Sequence, residues 1–168
     1  VSVGAEVGKN FGSIVAPDFK RNANGDILIN GETGMPIYDE TPRTIGNATW
    51  DWTGGFYHTL SYKNFRLSAA FDVKVGADIF SMSMRSAFQT GKAPETLVGR
   101  AEWYNSEEQR MAAGKTIDEW RAMGNCKGFL APGVIENADG TFRPNDIPID
   151  PQTYWESVSR NAPSMFVY

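Results

Sequence analysis

From Phe65 to Val75 the chain alternates apolar and polar residues without a break. Phe65, Leu67, Ala69, Phe71, Val73 and Val75 share one parity, and Arg66, Ser68, Ala70, Asp72 and Lys74 the other. Successive side chains of a strand point to opposite faces, so this period of two dictates a strand with one apolar and one polar face. The preceding Gly55–Tyr62 stretch alternates more loosely, with Phe56, Leu60 and Tyr62 set against Tyr57, Thr59 and Ser61. Lys63-Asn64 between the two runs makes a two-residue turn, in which Asn suits the left-handed position. The pair therefore reads as an antiparallel hairpin. The same alternation serves a half-buried sheet of a soluble sandwich and a strand of a membrane barrel.

The flanking regions differ in character. Residues 1–48 are rich in Gly, Pro and Asn and predict short strands joined by turns, with Asn24-Gly25 as a hairpin signal between Ser13–Phe19 and Asp26–Ile29. Residues 81–168 carry helix signals. Ser106 followed by Gln109, with acidic Glu107 and Glu108 and then Gly114, predicts a capped helix. Thr116 followed by Glu119 repeats the pattern up to Gly124, and Asp150-Pro151 starts a third helix that runs to about Arg160. Pro94–Gly99 predicts one further turn, and Asp139-Gly140 another hairpin.

Composition and motifs narrow the chemistry. The 168 residues carry 16 basic and 20 acidic side chains, a net charge of −4 with no basic cluster longer than Lys20-Arg21, which argues against nucleic acid as a partner. Cys126 is the single cysteine and His58 the single histidine, so neither an intrachain disulfide nor a Cys-based zinc cage can form. No run of about 18 apolar residues exists, so no transmembrane helix is expected. His58 shares parity with Phe56 and Leu60 and predicts packing rather than acid–base work. Asn22-Ala-Asn24-Gly25-Asp26 lacks the spacing of a calcium loop, because Lys20 stands at its first position, and reads as a turn. Glu107-Glu108 and Asp118-Glu119 lie in predicted first helical turns, where the helix dipole explains them better than catalysis does. No catalytic residue, metal ligand or cofactor site is expected. Among the aromatic residues, the loop aromatics Trp103, Tyr104 and Trp120 are the candidates for contact with a ligand, sugar rings being suited to flat apolar faces.

Trp52-Thr-Gly-Gly-Phe56 and Leu60-Ser-Tyr-Lys-Asn-Phe65, followed by Gly76-Ala-Asp-Ile-Phe80, Glu95-Thr-Leu-Val-Gly-Arg100, Ser106-Glu-Glu-Gln-Arg110 and Tyr154-Trp155, occur in an order and spacing that resemble the C-terminal barrel region of the SusC/RagA family. Val7-Gly-Lys-Asn-Phe-Gly-Ser-Ile14 and Ile45-Gly-Asn47 resemble the approach to the same hairpin, whereas Thr49-Trp50-Asp51 departs from an Asn-Pro-Asp-like run. The family consists of TonB-dependent outer-membrane importers of glycans or peptides.

The resemblance implies a mainly β fold: antiparallel hairpins of a large outer-membrane barrel plus long, helix-bearing extracellular loops. Residues 1–48 would be an extracellular loop with short strands, 49–80 a transmembrane hairpin and 81–168 a long extracellular loop leading to the next strand. Phe65, Leu67, Phe71 and Val73 would meet lipid, while Arg66, Asp72 and Lys74 would face the lumen, with Lys63-Asn64 at the periplasmic side. His58 would then meet lipid unless a bulge at Gly54-Gly55 shifts the parity. Implied partners are the rest of the barrel and its plug, a SusD-like surface lipoprotein, TonB through an N-terminal region outside this sequence, and an oligosaccharide or peptide substrate. Val1 starts in what reads as mid-strand and Met165-Phe166-Val167-Tyr168 is an unfinished apolar run, which predicts an internal piece of a longer protein with no activity of its own. The alternatives are a secreted carbohydrate-binding β-domain and, third, a catalytic domain such as a glycosidase using two of the carboxylates, which loss of hydrolysis on replacing Glu107 or Glu108 would support.

Overall fold

A computed structural model describes residues 1–168 except Glu6 and Asn10; Asn10 of the Val7–Ile14 motif thus lies outside the described residues. Strands β1 (Ser2–Gly4), β2 (Ser13–Phe19) and β4 (Tyr38–Asn47) form one antiparallel sheet in the order β1-β2-β4. Strand β3 (Leu28–Ile29) lies parallel to β7 (Val134–Glu136), which pairs antiparallel with β8 (Phe142–Pro144). Strands β5 (Trp52–Tyr62) and β6 (Phe65–Val75) form a sheet of their own. Four helices follow β6 in the chain: α1 (Met82–Gln89), α2 (Arg100–Ala112), α3 (Ile117–Ala122) and α4 (Pro151–Asn161). The chain is β-rich but mixed, with about 34% strand and 28% helix, so helix weighs nearly as much as strand in its small open sheets.

Local chemistry accounts for most of the boundaries. Asn22 folds the 22–26 turn on itself: its side-chain oxygen accepts from the backbone N–H groups of Asn24 and Asp26, both at 2.9 Å, and Gly25 supplies φ 90°. Its amide donates to the Asp26 carboxylate at 3.0 Å, so the polar groups of this segment are spent on the turn. Thr116 and Glu119 form the expected capping box, and Asp150 caps α4 through the N–H groups of Gln152 and Thr153. The Asp139-Gly140 turn joins β7 to β8, with Gly140 at φ 79°. A 3-10 turn forms at Pro94–Leu97.

Two expectations are corrected. Helix α2 begins at Arg100 rather than at Ser106, behind Gly99 at φ 75°, where a Cβ would lie 2.6 Å from the Phe129 nitrogen. Ser106 is consequently an interior residue of the helix and not its cap. In the hairpin turn the positive φ falls on Lys63, at 51°, and not on Asn64. Helix α1 has no sequence-based precedent at all; Ser81 caps it through the Met84 N–H, without the acidic partner that marks a capping box.

The core joins the regions before and after the hairpin. Tyr154, Trp155, Val158 and Ser159 make up the buried face of α4, at the helical spacing that turns one stripe inward. Phe88 of α1 packs its ring 4.7 Å from Trp155 and 5.6 Å from Phe166, and Phe129 lies 4.7 Å from Tyr154. Phe19 of β2, Ile29 of β3 and Ile135 of β7 complete the cluster, so residues 19–38 and 80–166 share one interior. Burial pushes the Tyr154 phenol well above its usual range, and the neighbouring Tyr38 adds to this. Buried Asp18 ties the sheet to this body, pairing with Arg43 of β4 and accepting from the Ser164 hydroxyl.

Candidate functional site

The hairpin stands apart from that interior. Its register runs unbroken from Trp52 opposite Val75 to Tyr62 opposite Phe65. Directly paired residues share a face, so Trp52, Phe56, His58, Leu60 and Tyr62 line up with Val75, Phe71, Ala69, Leu67 and Phe65. The other face carries Thr53, Tyr57, Thr59 and Ser61 against Lys74, Ala70, Ser68 and Arg66, with the Thr59 and Ser68 hydroxyls 3.2 Å apart and an Asp72–Lys74 ion pair at 3.2 Å. No bulge occurs at Gly54-Gly55, so His58 does sit on the apolar face, its ring parallel to Phe56 at 6.1 Å. Gly54 leaves room for the Trp52 indole, which a Cβ would meet at 2.3 Å.

No residue of β5 or β6 is buried. Phe65 is 80% exposed, Leu67 66% and Phe56 61%, an open apolar strip of a kind that soluble monomers seldom carry. Both edges of the ribbon lack a strand partner among the described residues. A two-stranded ribbon is marginal in water unless a third element covers it. The body meets the hairpin at one end only. Asp51 N–H donates to the Val75 carbonyl, and the Asp78 and Asn47 backbones are joined just beyond, leaving Lys63-Asn64 at the free tip.

The three aromatics expected in loops lie on helices, Trp103 and Tyr104 on α2 and Trp120 on α3, in different environments. Trp120 is 7% exposed and its indole N–H donates to Ser106 Oγ at 3.0 Å, so it anchors α3 to α2. Trp103 is half-buried, with its ring over Gly128, while Tyr104 on the same helix is 56% exposed. The structure thus does not bring the three together as one open platform. Ser106, buried inside α2, also accepts from the Lys127 N–H at 3.2 Å and reaches the Asn125 carbonyl at 3.3 Å. Sequence spacing could not reveal that hub, since its partners lie 14 to 21 residues away.

Glu107 and Glu119, one member of each acidic pair, have structural partners. Glu107 receives both Nε and Nη2 of Arg110, at 2.8 and 2.7 Å, and this raises the Arg110 pKa. Glu119 accepts the Thr116 N–H, which, with Lys115, holds its carboxyl below the usual range. Cys126 is buried beside Arg121; desolvation pushes its thiol up, opposed by the Arg121 charge. Among the described residues no group of three or more His, Cys, Asp or Glu side chains could hold a metal, and no helix is long and apolar enough to cross a membrane. No protein-family model and no curated protein matches the chain.

Proposed function

We propose that Trp52–Val75 is a pair of neighbouring membrane strands in a TonB-dependent outer-membrane importer of the SusC/RagA type, and that the folded remainder of the chain caps it on the outer side. The observation that carries the proposal is the uncovered two-faced ribbon: eleven residues in each strand, apolar on one face, polar on the other, buried by nothing else among the described residues. At about 3.3 Å per residue each strand is about 33 Å long, and at a tilt of about 40° it spans about 25 Å, the height of the apolar band of such barrels. Trp52 near the base and Tyr62 and Phe65 near the tip stand where interfacial aromatics belong, and the Lys63 ammonium lies 5.4 Å from the Tyr62 ring, at the end where a headgroup region would begin. In hydrocarbon the two open edges must be paired, which demands further barrel strands on both sides. On this view the chain transports nothing alone. The rest of the barrel, a plug, TonB and a SusD-like lipoprotein complete the importer, and a glycan or peptide is its cargo.

Single cysteines at positions 65 to 75, in a Cys126→Ser background of the membrane-inserted protein, test the placement. Odd positions should be quenched by a lipid-borne agent and even positions labelled by a charged, water-soluble thiol reagent. Uniform labelling by the aqueous reagent would overturn the proposal.

A further inference from the structure

The segment after α3 and the loop before α4 enclose a cleft of about 570 Å³ on the folded body. Its size is that of a small-molecule site, roughly 300–1,000 Å³. Arg121 and Lys127 bring two positive charges to its wall, and Leu130, Ile147 and Pro148 bring apolar surface. The one carboxylate of the lining, Asp146, is already paired with Arg143.

Arg121 lies beside the Cys126 side chain, and its other contacts are long. Its Nη1 lies 3.4 Å from the Glu32 carbonyl and its Nη2 3.3 Å from the Pro148 carbonyl, both long for such bonds. The nearest acidic oxygen, on Asp118, is 3.9 Å away on a side chain 88% exposed. Its Nε is buried without a hydrogen-bond partner and does not itself line the cleft. The Lys127 ammonium forms no ion pair among the described residues.

We propose that this cleft binds a small monocarboxylate bearing a short aliphatic group, the carboxylate on Arg121 and Lys127 and the aliphatic part against Leu130, Ile147 and Pro148. A guanidinium matches a carboxylate with paired, charge-assisted bonds. A dianionic phosphate would suit the site less, because Asp146 and three apolar side chains share the lining. The inference concerns the folded body and does not depend on the membrane placement of the hairpin.

The test is calorimetric titration of the full chain with 4-methylpentanoate, with 4-methylpentanamide and inorganic phosphate as comparisons. Saturable binding of the acid is expected, at least about tenfold tighter than the amide, with phosphate weaker than the acid. Arg121→Gln should weaken the acid about tenfold or more, as expected for a charge-assisted pair. Because Arg121 also touches two backbone carbonyls, Leu130→Glu provides an independent variant: Leu130 is 50% exposed, so the fold survives while the apolar wall acquires a repelling charge. Loss of binding in Leu130→Glu with an unchanged circular dichroism spectrum supports the site. No saturation by about 10 mM, the weak limit of specific recognition, overturns it, as do equal binding of acid and amide or unchanged binding in Leu130→Glu.

Discussion

Asn47 and Asp78 exchange two hydrogen bonds: the Asn47 N–H donates to Asp78 Oδ2 at 2.7 Å, and the Asp78 N–H donates to the Asn47 carbonyl at 2.7 Å. The pair closes the base of the hairpin, joining the residue that ends β4 to one just past β6. Gly46 makes the approach feasible, since a Cβ there would meet Asp78 Oδ2 at 2.8 Å and Val167 at 3.0 Å.

Asp78→Ala removes the acceptor and leaves the half-buried Asn47 N–H unpaired, so stability should fall by about 1–3 kcal/mol. Asp78→Asn keeps an oxygen in place and should recover most of the loss. Denaturant unfolding, with hydrogen exchange at Asn47, measures both. Unchanged exchange at Asn47 in Asp78→Ala would mean that the side chain does not hold the base.

Ser106→Ala deprives the Trp120 indole and the Lys127 amide of their shared acceptor. With Ser106 and Trp120 both buried, the expected cost is again about 1–3 kcal/mol, and the Trp120 indole proton should lose its exchange protection. A methyl group that repacked without loss of stability would show that water reaches these donors.

Phe71 and Ala70 are neighbours on opposite faces near the middle of β6. Placed in a bilayer-inserted barrel, Phe71→Arg should cost about 2–4 kcal/mol, the penalty of a cation at mid-depth on the lipid side, whereas Ala70→Arg should cost far less. Urea unfolding from lipid vesicles compares the two. Equal penalties would argue against a lipid-facing side.

Glu119 predicts a response to acid. Its carboxyl is held below the usual range, chiefly by the Thr116 N–H, so its contribution is present above the ordinary glutamate value and disappears as pH falls through the depressed one. The Thr116 amide resonance should therefore shift along that titration, and α3 should fray at its start. Glu119→Gln should abolish the shift, because the amide oxygen still accepts but does not titrate. A Thr116 resonance that titrated identically in Glu119→Gln would assign the effect to another group.

How far the structure was legible depended on the reach of each interaction. The hairpin was legible almost completely, because both its register and its two faces follow from period-two alternation about a two-residue turn. The capping box at Thr116 and Glu119, the Asp150-Pro151 start and the Asp139-Gly140 turn were legible for a similar reason: each is closed by groups within a few residues. Helix α1 was not, as its stability comes from Phe88 packing on Trp155 and from Arg85 Nε donating to the Ser159 carbonyl at 2.7 Å, both across more than 60 residues. Ser106 was misplaced because a serine followed by Glu-Glu-Gln has the local form of a cap, and only its distant partners show it to be a hub.

By itself, then, the sequence determined that residues 55 to 75 make a ribbon with one apolar and one polar face, since side-chain alternation along a strand needs no tertiary contact. Only the tertiary structure decided that none of the described residues covers that apolar face, and that the segments on either side of the hairpin pack into one body. Those outcomes rest on contacts such as Phe19 and Ile29 with the face of α4, more than a hundred residues away, and no local pattern encodes which distant surface a buried side chain will meet.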